Sequence, residues 1–313
     1  MNITRPRTRS RAAGLAAALA LAIGGTAAVA VGTATHAAAR PAAQAAAGHE
    51  AALVAKARTS LLRYLSKDHA MNIPTPGGGP RGVTPSTVNA SIGAKGTGTI
   101  GSYNWSGYAD SSSTAGTFTA VSAKWVQPST TCSSEQRLTA FWVGLDGYSN
   151  DTVEQDGTLA YCFEGQPYYF TWWEMFPGAS ETVGSTVKVG DKIAASVTRS
   201  GDSYTLALTD NSEPANSFST VQTCPTSTCT DESAEWIAER PAFPIGITPL
   251  STFSDWSPYS AVETSNGTRG TITNGPGATQ IVMYDATSTY PLDSVSALTN
   301  AGANFTTHYL NSY

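Results

Sequence analysis

Residues 168–176 read YYFTWWEMF, a run in which large aromatic side chains surround one glutamate. In an extended strand, alternate side chains point to the same face. One face of this strand therefore carries Tyr168, Phe170, Trp172, Glu174 and Phe176. From about Ser102 onward, similar runs of β-branched and aromatic residues recur between Gly, Asn, Asp and Pro; examples are TFTAVSAKWVQP, AFWVGLDG, SYTLALTD, AEWIAERP and TQIVMYDA. Strand-length runs at this spacing predict an all-β domain, built as an antiparallel sandwich or barrel.

The first 38 residues have the order of a secretory signal peptide. Residues 1–12 contain four arginines and no acidic residue, an apolar run extends to about Val31, and small residues close it near Ala37. A membrane anchor is the alternative, but the apolar run is mostly Ala and Gly, and small residues end it as they do at a cleavage site. We therefore expect residues 1–38 to be removed, the protein to be extracellular, and no part of it to remain in a membrane.

Residues 39–101 are predicted to form a propeptide with a linker. Apolar residues at helical spacing, among them Leu53, Ala57 and Leu61, predict an amphipathic helix within residues 41–70. Residues 72–101 are rich in Pro, Gly, Ser and Thr, which is typical of a linker open to proteolysis. Residues 102–313 are then the mature domain, and their number suits one large all-β domain.

Charge separates the same two parts. Residues 1–100 contain 11 Lys and Arg and 2 acidic residues, a net charge of +9; from chain totals of 18 and 23, this leaves 7 basic and 21 acidic residues, or −14, for residues 101–313. Such an acidic domain is a poor candidate for binding nucleic acid. The basic propeptide is expected to bind the acidic domain as its inhibitor at neutral pH, and to be released when acid protonates the carboxylates.

All four cysteines lie in the acidic part, at Cys132, Cys162, Cys224 and Cys229. An even number in an exported chain predicts disulfides, and four cysteines allow three connectivities. The pairing Cys132–Cys162 with Cys224–Cys229 is favoured, because the second pair closes the short loop CPTSTC. A zinc site is less favoured, since His308 is the only histidine after residue 100.

Several catalytic classes lack their residues. His308 is the only base of its type available to a serine nucleophile in the mature part. The sequence contains no Gly-x-Ser-x-Gly, no His-Glu-x-x-His, no Walker loop and no Asp-Thr-Gly or Asp-Ser-Gly pair. The side chains that remain for chemistry are carboxylates, amides and tryptophans, and neither a metal nor a cofactor is expected.

Six motifs follow one another along residues 104–241: NWSGY, WVQPS, FWVGLDG, VEQDG, YYFTWWEMFP and AEWIAERP. In this order they resemble the glutamic peptidase (eqolisin) family. The resemblance implies a concanavalin-like sandwich of two curved antiparallel sheets whose concave face binds polypeptide substrates. It also implies a monomeric enzyme that is secreted as a zymogen and acts at acid pH. The catalytic pair of the family corresponds to Gln155 and Glu239, and the other residues that line its cleft correspond to Trp105, Trp142, Asp146 and Glu174.

The chemistry of the catalytic pair also follows from the residue types. An ionised Glu239 can take a proton from an attacking water, and the amide of Gln155 can donate to the oxyanion that forms. The sequence departs from the family pattern at Glu154, before the glutamine, and at Arg240, after the glutamate. Glu235 lies on the same strand face as Glu239 and is the alternative catalytic glutamate.

Two other functions use similar residues. A glycoside hydrolase could employ Glu174 and Glu239 as its two carboxylates, with tryptophans stacked on the sugar. A lectin-like binding module could use the same aromatic residues without catalysis. Neither of these functions needs a basic helix and a linker ahead of the domain, so the sequence favours the peptidase.

Overall fold

The computed structural model describes residues 34–66, 82–83, 98–224, 229–243 and 246–312. It divides into two units, residues 1–48 and residues 49–313, and the second unit contains every strand. Most of the predicted signal peptide, residues 1–33, lies outside the described residues. No helix in the described part of the chain is both long and apolar enough to cross a membrane.

One long helix, α1, spans Ala34–Ser66. It includes most of the predicted segment 41–70 and begins earlier, because its N-terminal half is rich in alanine, the residue with the highest helix propensity. Ala57 and Leu61 are fully buried and lie four residues apart, which places them on one face of the helix. The residues around them are partly or fully exposed, so α1 is amphipathic in this part, as predicted.

A nine-stranded sheet positions the residues of the predicted site. Its strands, in spatial order, are β1 (Gly82–Val83), β2 (Gly98–Ser102), β19 (Ala278–Met283), β3 (Trp105–Ser111), β13 (Ser233–Glu239), β6 (Arg137–Leu145), β7 (Val153–Phe163), β8 (Gln166–Phe176) and β9 (Glu181–Thr182). All neighbours are antiparallel except β2 and β19, which are parallel. The run YYFTWWEMF therefore forms most of β8, a strand near one edge of this sheet.

A second sheet has six antiparallel strands. In spatial order they are β12 (Phe218–Thr223), β11 (Ser203–Asp210), β10 (Lys192–Ser200), β4 (Phe118–Val126), β17 (Tyr259–Ser265) and β18 (Thr268–Thr271). Three short pairs complete the strands of the described residues: β5 (Thr130–Thr131) with β16 (Thr252–Phe253), β14 (Ala242–Phe243) with β15 (Gly246–Ile247), and β20 (Asp293–Val295) with β21 (Thr307–Tyr309). Single 3-10 turns occupy Pro214–Asn216, Ile272–Asn274 and Asn300–Gly302. The prediction of an all-β antiparallel sandwich is confirmed.

Alternation divides the side chains of the large sheet between two apolar clusters. One face packs against the six-stranded sheet and contributes residues such as Phe141 and Trp236 to the main core. The opposite face carries a second cluster, which includes Trp105, Trp142, Leu159, Phe170 and Ile237. Ala57 and Leu61 of α1 belong to this second cluster. The C-terminal half of α1 therefore covers the face of the large sheet that does not contact the other sheet.

Both favoured disulfides are present. Cys132 bonds Cys162 at 2.02 Å, and Cys224 bonds Cys229 at 1.97 Å. The first bridge joins the segment before β6 to the end of β7, and the second closes the short loop after β12.

The segment predicted as a linker contains two strands. β2 pairs in parallel with β19, with Ile100 opposite Ile281. A sequence of Gly, Thr and Ser with one isoleucine can form a strand because the pairing uses backbone groups that every non-proline residue carries. The proposed boundary between residues 101 and 102 lies within β2.

Candidate active site

Five of the six predicted site residues lie on one face of the large sheet, the face that α1 covers. Directly opposite residues on neighbouring strands share a face. Gln155 of β7 is opposite Glu174 of β8, and Glu239 of β13 is opposite Trp105 of β3. Trp142 of β6 lies between these two pairs along the sheet, on the same face.

Glu239 is a buried carboxylate with three side-chain donors, Trp142, Trp105 and Asn104. Trp142 donates its indole Nε1–H to Oε2 at 2.9 Å, and Asn104 donates from Nδ2 to Oε1 at 3.3 Å. Burial raises the pKa of Glu239 well above its usual value, whereas the indole of Trp142 lowers it. The charge of Glu174 raises the pKa of Glu239 further, so the two carboxylates belong to one electrostatic cluster.

Gln155 is fully buried and held by Glu174. Its Nε2 donates to Glu174 Oε2 at 2.6 Å, and its Oε1 has no hydrogen-bond partner among the described residues. Because a side-chain amide nitrogen carries two hydrogens, one N–H remains for another acceptor. Glu174 thus fixes which end of the amide faces it and leaves Gln155 with one free donor and one free acceptor.

The indole of Trp142 depends on a glycine. A Cβ atom on Gly144 would lie 2.8 Å from Trp142 Cζ3 and 3.2 Å from Gln155 Cβ. The indole therefore covers the backbone of Gly144, and only glycine leaves room for it. Trp105 packs edge-to-face against Trp142, with ring centroids 5.1 Å apart and an interplanar angle of 78°. These contacts hold the indole N–H toward Glu239.

Glu235, the alternative catalytic residue, lies in the same cross-strand row as Gln155, with Gly144 between them. The indole of Trp142 occupies the face above Gly144 and stands between the two side chains. Burial raises the pKa of Glu235, and the nearby charge of Asp146 raises it further. Glu235 interacts with the side-chain hydroxyl of Ser233, which lowers the pKa of its carboxyl group. A carboxyl group with one hydroxyl donor is less suited to ionise at acid pH than Glu239, which has two indole donors and an amide donor.

Asp146 lies apart from the other five residues. It follows the last residue of β6 with a φ of 65°, and its carboxylate accepts the backbone N–H groups of Thr230, Asp231 and Glu232 at 2.8 to 2.9 Å. Asn150 donates to Asp146 Oδ1 at 2.7 Å. These bonds join the end of β6 to the segment before β13. No described bond connects Asp146 to Gln155 or Glu239, and its place in the cleft stays a prediction.

Sequence reasoning missed Asn104. The motif NWSGY contains it, but the sequence offered no reason to separate it from the many other Asn residues in bends. Only the structure shows that it donates to the same carboxylate as Trp142.

Helix α1 contacts the rim of this face through polar groups as well as through Ala57 and Leu61. The contacts are Lys56 Nζ to Glu164 Oε1 at 2.7 Å, Arg58 Nη2 to Thr182 O at 2.9 Å, and a 3.0 Å bond between Ser60 Oγ and Tyr161 OH. In the full-length chain, Gln155, Glu174 and Glu239 are fully buried. A substrate cannot reach these groups in this arrangement.

The sequence model of the peptidase A4 family matches residues 103–308, which is more than half of the chain. The chain belongs to this family. It is accordingly a hydrolase of peptide bonds, a glutamic endopeptidase. The matched region begins just before Trp105 and includes all six residues that the sequence singled out. A glycoside hydrolase or a lectin is not favoured for a member of this family.

Solved structures show the same fold. The peptidase is similar to scytalido-glutamic peptidase bound to a transition-state analogue inhibitor, with 23% identity over 66% of this chain and 98% of that chain and a TM-score of 0.56. It is also similar to SCP-B, a member of the eqolisin family solved with the tripeptide Ala-Ile-His, with 22% identity over the same shares and a TM-score of 0.51. No curated protein sequence matches the peptidase.

Proposed function

We propose that the peptidase is a secreted, acid-acting endopeptidase, made as an inactive precursor, in which Glu239 activates water and Gln155 stabilises the oxyanion. One observation carries this proposal. A carboxylate held by N–H donors of Trp142, Trp105 and Asn104 and an amide held by Glu174 share one face of the large sheet. They supply the proton acceptor and the oxyanion donor that hydrolysis of a peptide bond requires.

Glu239 acts as the base and then as the acid. In its ionised form it accepts a proton from water as the water oxygen bonds to the peptide carbonyl carbon. The bonds from Trp142 and Asn104 favour this ionised form over the protonated one. When the tetrahedral intermediate collapses, Glu239 returns the proton to the leaving amine, and the C–N bond breaks.

Gln155 acts on the carbonyl oxygen. The N–H that Glu174 leaves free can donate to the negative charge that develops there. A donor of this kind contributes about 3 kcal/mol to transition-state stabilisation. Since an amide does not titrate, Gln155 keeps this role at a pH where most carboxylates are protonated, which supports action in acid.

The precursor form is supported by the position of α1. Its residues Ala57 and Leu61 pack in the same cluster as Trp105 and Trp142, the two indoles next to Glu239. Removal of α1 would uncover this face for a polypeptide. Because β2 pairs with β1 and with β19 in the body of the domain, a cut between α1 and β1 would release the helix and leave the sheet intact.

Secretion is supported by residues 1–38 of the sequence and by the two disulfides, which form and persist in oxidising compartments. Polypeptide substrates are supported by the family and by the tripeptide bound to SCP-B.

The test compares wild type with Glu239→Gln, Gln155→Ala and Glu235→Gln. Each full-length protein is treated with pepsin at acid pH, pepsin is blocked with pepstatin, and cleavage of casein and of a quenched fluorescent peptide is followed at about pH 3–7. Wild type should be most active at the acid end. Glu239→Gln should be inactive, and Gln155→Ala should lose a factor of about 10²–10³ in kcat.

Glu235→Gln is the matched control, since it makes the same change four residues along the same strand. It should keep most of the activity, and an inactive Glu235→Gln beside an active Glu239→Gln would move the base to Glu235. More than a tenth of wild-type turnover in Gln155→Ala would refute the role of Gln155. A β-glucan incubated in parallel should stay intact. Its cleavage would instead support the glycoside hydrolase function.

A further inference from the structure

The bend between β2 and β3, residues 102–105, passes directly beside Glu239. Ser102 ends β2 and Trp105 begins β3, so the bend itself consists of two residues, Tyr103 and Asn104. Asn104 is buried, and its Nδ2 lies 3.3 Å from Glu239 Oε1. Trp142 donates its indole N–H to the other oxygen of this carboxylate, Oε2. Trp105, the neighbour of Asn104, also donates to this carboxylate. The donors therefore approach Glu239 from two segments of the chain, residues 104–105 and β6.

Ser102 fixes the orientation of the Asn104 side chain. Its hydroxyl donates to Asn104 Oδ1 at 3.1 Å and accepts the backbone N–H groups of Asn104 and Trp105 at 3.2 and 3.0 Å. Since a hydroxyl that donates to Oδ1 requires the carbonyl end of the amide to face it, the NH₂ end must face Glu239. Ser102 thereby determines the orientation of the Asn104 side-chain amide and keeps its NH₂ group directed at the Glu239 carboxylate.

Arg240 holds the bend in place from the other side. Its backbone N–H donates to Asn104 O at 3.0 Å, and its guanidinium donates to Tyr103 O at 2.5 Å and Tyr284 O at 3.0 Å. Arg240 is nearly fully buried, and it follows Glu239 directly in the sequence. A planar fork of donors suits such a clamp on two carbonyls better than the single ammonium of a lysine. Arg240 therefore couples the backbone position of Glu239 to that of its donor, Asn104.

We infer that Asn104 is a positioning residue for Glu239, oriented by Ser102 and anchored by Arg240, and that it keeps this carboxylate ionised and aimed in acid. The inference rests on the proposed function, because it assigns Glu239 as the base. A donor on the anion stabilises the charged form, which is the form that can accept a proton from water.

The groups around Glu239 allow a clear pH readout. Among the described residues, Glu174 on β8 is the titratable group that interacts with it, and the indoles of Trp105 and Trp142 do not titrate. Arg240 interacts with Asp285, whose pKa is lowered to about 2, and with Asp293, whose pKa is raised to about 7, so over most of the acid pH range only Asp285 is ionised. Loss of the Asn104 donor should raise the pKa of Glu239, because the bond lowers it in the intact protein. The acid limb of the kcat/KM profile should then move to higher pH.

The experiment measures kcat and KM from about pH 2.5 to 6 after the same pepsin treatment. The proteins are wild type, Asn104→Leu, Ser102→Ala and the control Asn211→Leu. Asn211 is exposed and donates to Lys192 O at 3.2 Å, so its replacement also removes an amide-to-carbonyl bond, but in the other sheet. We expect the acid limb for Asn104→Leu to move up by about one pH unit, a tenfold loss at the acid end, with KM little changed on the plateau. Ser102→Ala should give a smaller shift in the same direction, and Asn211→Leu none.

An Asn104→Leu enzyme with a wild-type profile, or with a uniform loss of activity and a lower melting temperature, would overturn the inference. If Asn104→Leu does not fold, the pH profile of Ser102→Ala tests the inference, because this variant keeps Asn104 and removes only the hydroxyl that orients it. A wild-type protein without peptidase activity would refute the proposed function and this inference with it. An active wild type with unshifted variants refutes only the inference.

Discussion

Asp293, at the start of β20, should make the stability of the peptidase fall as the pH rises. Its side chain is fully buried, and one oxygen accepts the N–H of Met283 at 3.0 Å. Burial raises the pKa of Asp293 from 3.8 to about 7. Hydrogen bonding with the Ser106 side chain and the Met283 N–H, together with the charge of Arg240, limits this increase. At about pH 5 the folded protein therefore keeps a proton that the unfolded chain releases.

The magnitude follows from the two pKa values. Because the folded pKa is the higher one, the stability that this proton provides is complete below about pH 4 and is lost as the pH rises through about 7. One unit of pKa difference corresponds to about 1.4 kcal/mol, so the loss from Asp293 reaches about 4 kcal/mol near pH 7. Asp293→Asn keeps an oxygen for the Met283 N–H and cannot ionise. Its free energy of unfolding should not show this loss.

Urea unfolding, followed by tryptophan fluorescence at about pH 4, 5.5 and 7, measures the effect. The Glu239→Gln full-length protein serves as the parent, since it should not digest itself. Relative to this parent, Asp293→Asn should gain about 3–4 kcal/mol between pH 4 and 7. The exposed Asp202, changed to Asn, is the matched control and should differ from the parent by a constant amount. The reasoning is refuted if the Asp293→Asn difference is also the same at every pH.

Two further substitutions test the covered face of the sheet. Leu61→Asp places a carboxylate in the cluster beneath α1 and should weaken the docking of the helix by about 3 kcal/mol or more. The precursor should then be cut sooner by added trypsin at neutral pH, and an unchanged rate would contradict a packed helix. Gly144→Ala would bring a methyl group within 2.8 Å of Trp142 Cζ3, so kcat/KM should fall at least about tenfold while circular dichroism stays unchanged. Wild-type kinetics in Gly144→Ala would show that the indole position is not needed.

Much of the site could be predicted because alternation along a strand is a local property. The run at residues 168–176 forms β8, and Glu174 shares its face with Trp172 as period-two spacing requires. The same rule placed Glu235 and Glu239 together on β13. It could not choose between them, because the choice depends on which donors come from other strands and on the indole that covers Gly144.

Other features depend on contacts between distant segments. β2 contains Gly98, Thr99 and Ile100, a composition typical of a linker, and it becomes a strand only because β19 offers backbone partners. Asn104 donates to a residue 135 positions away in the sequence. No local pattern distinguishes such an asparagine from one that caps a turn.

The contacts of α1 change the expected balance of forces in the precursor. The charge difference between residues 1–100 and the rest predicts docking driven by charge, yet Lys56 and Glu164 form an ion pair whose side chains are 58% and 55% exposed. Exposed pairs contribute about 0–1 kcal/mol, whereas full burial of a leucine such as Leu61 contributes about 2–3 kcal/mol. Burial of apolar surface therefore outweighs this ion pair in holding the helix.

Acidification acts on the docked helix in two opposite directions. It can remove the attraction between Lys56 and Glu164, which favours release. Burial also raises the pKa of Glu239, so if α1 excludes water from this carboxyl, the covered form binds a proton more tightly than the open form. By linkage, lowering the pH through that range favours the covered form. Acid alone thus gives no strong equilibrium drive to release α1. In the proposed activation, a cut between α1 and β1 would make the loss of the helix irreversible without requiring that charge dominate docking.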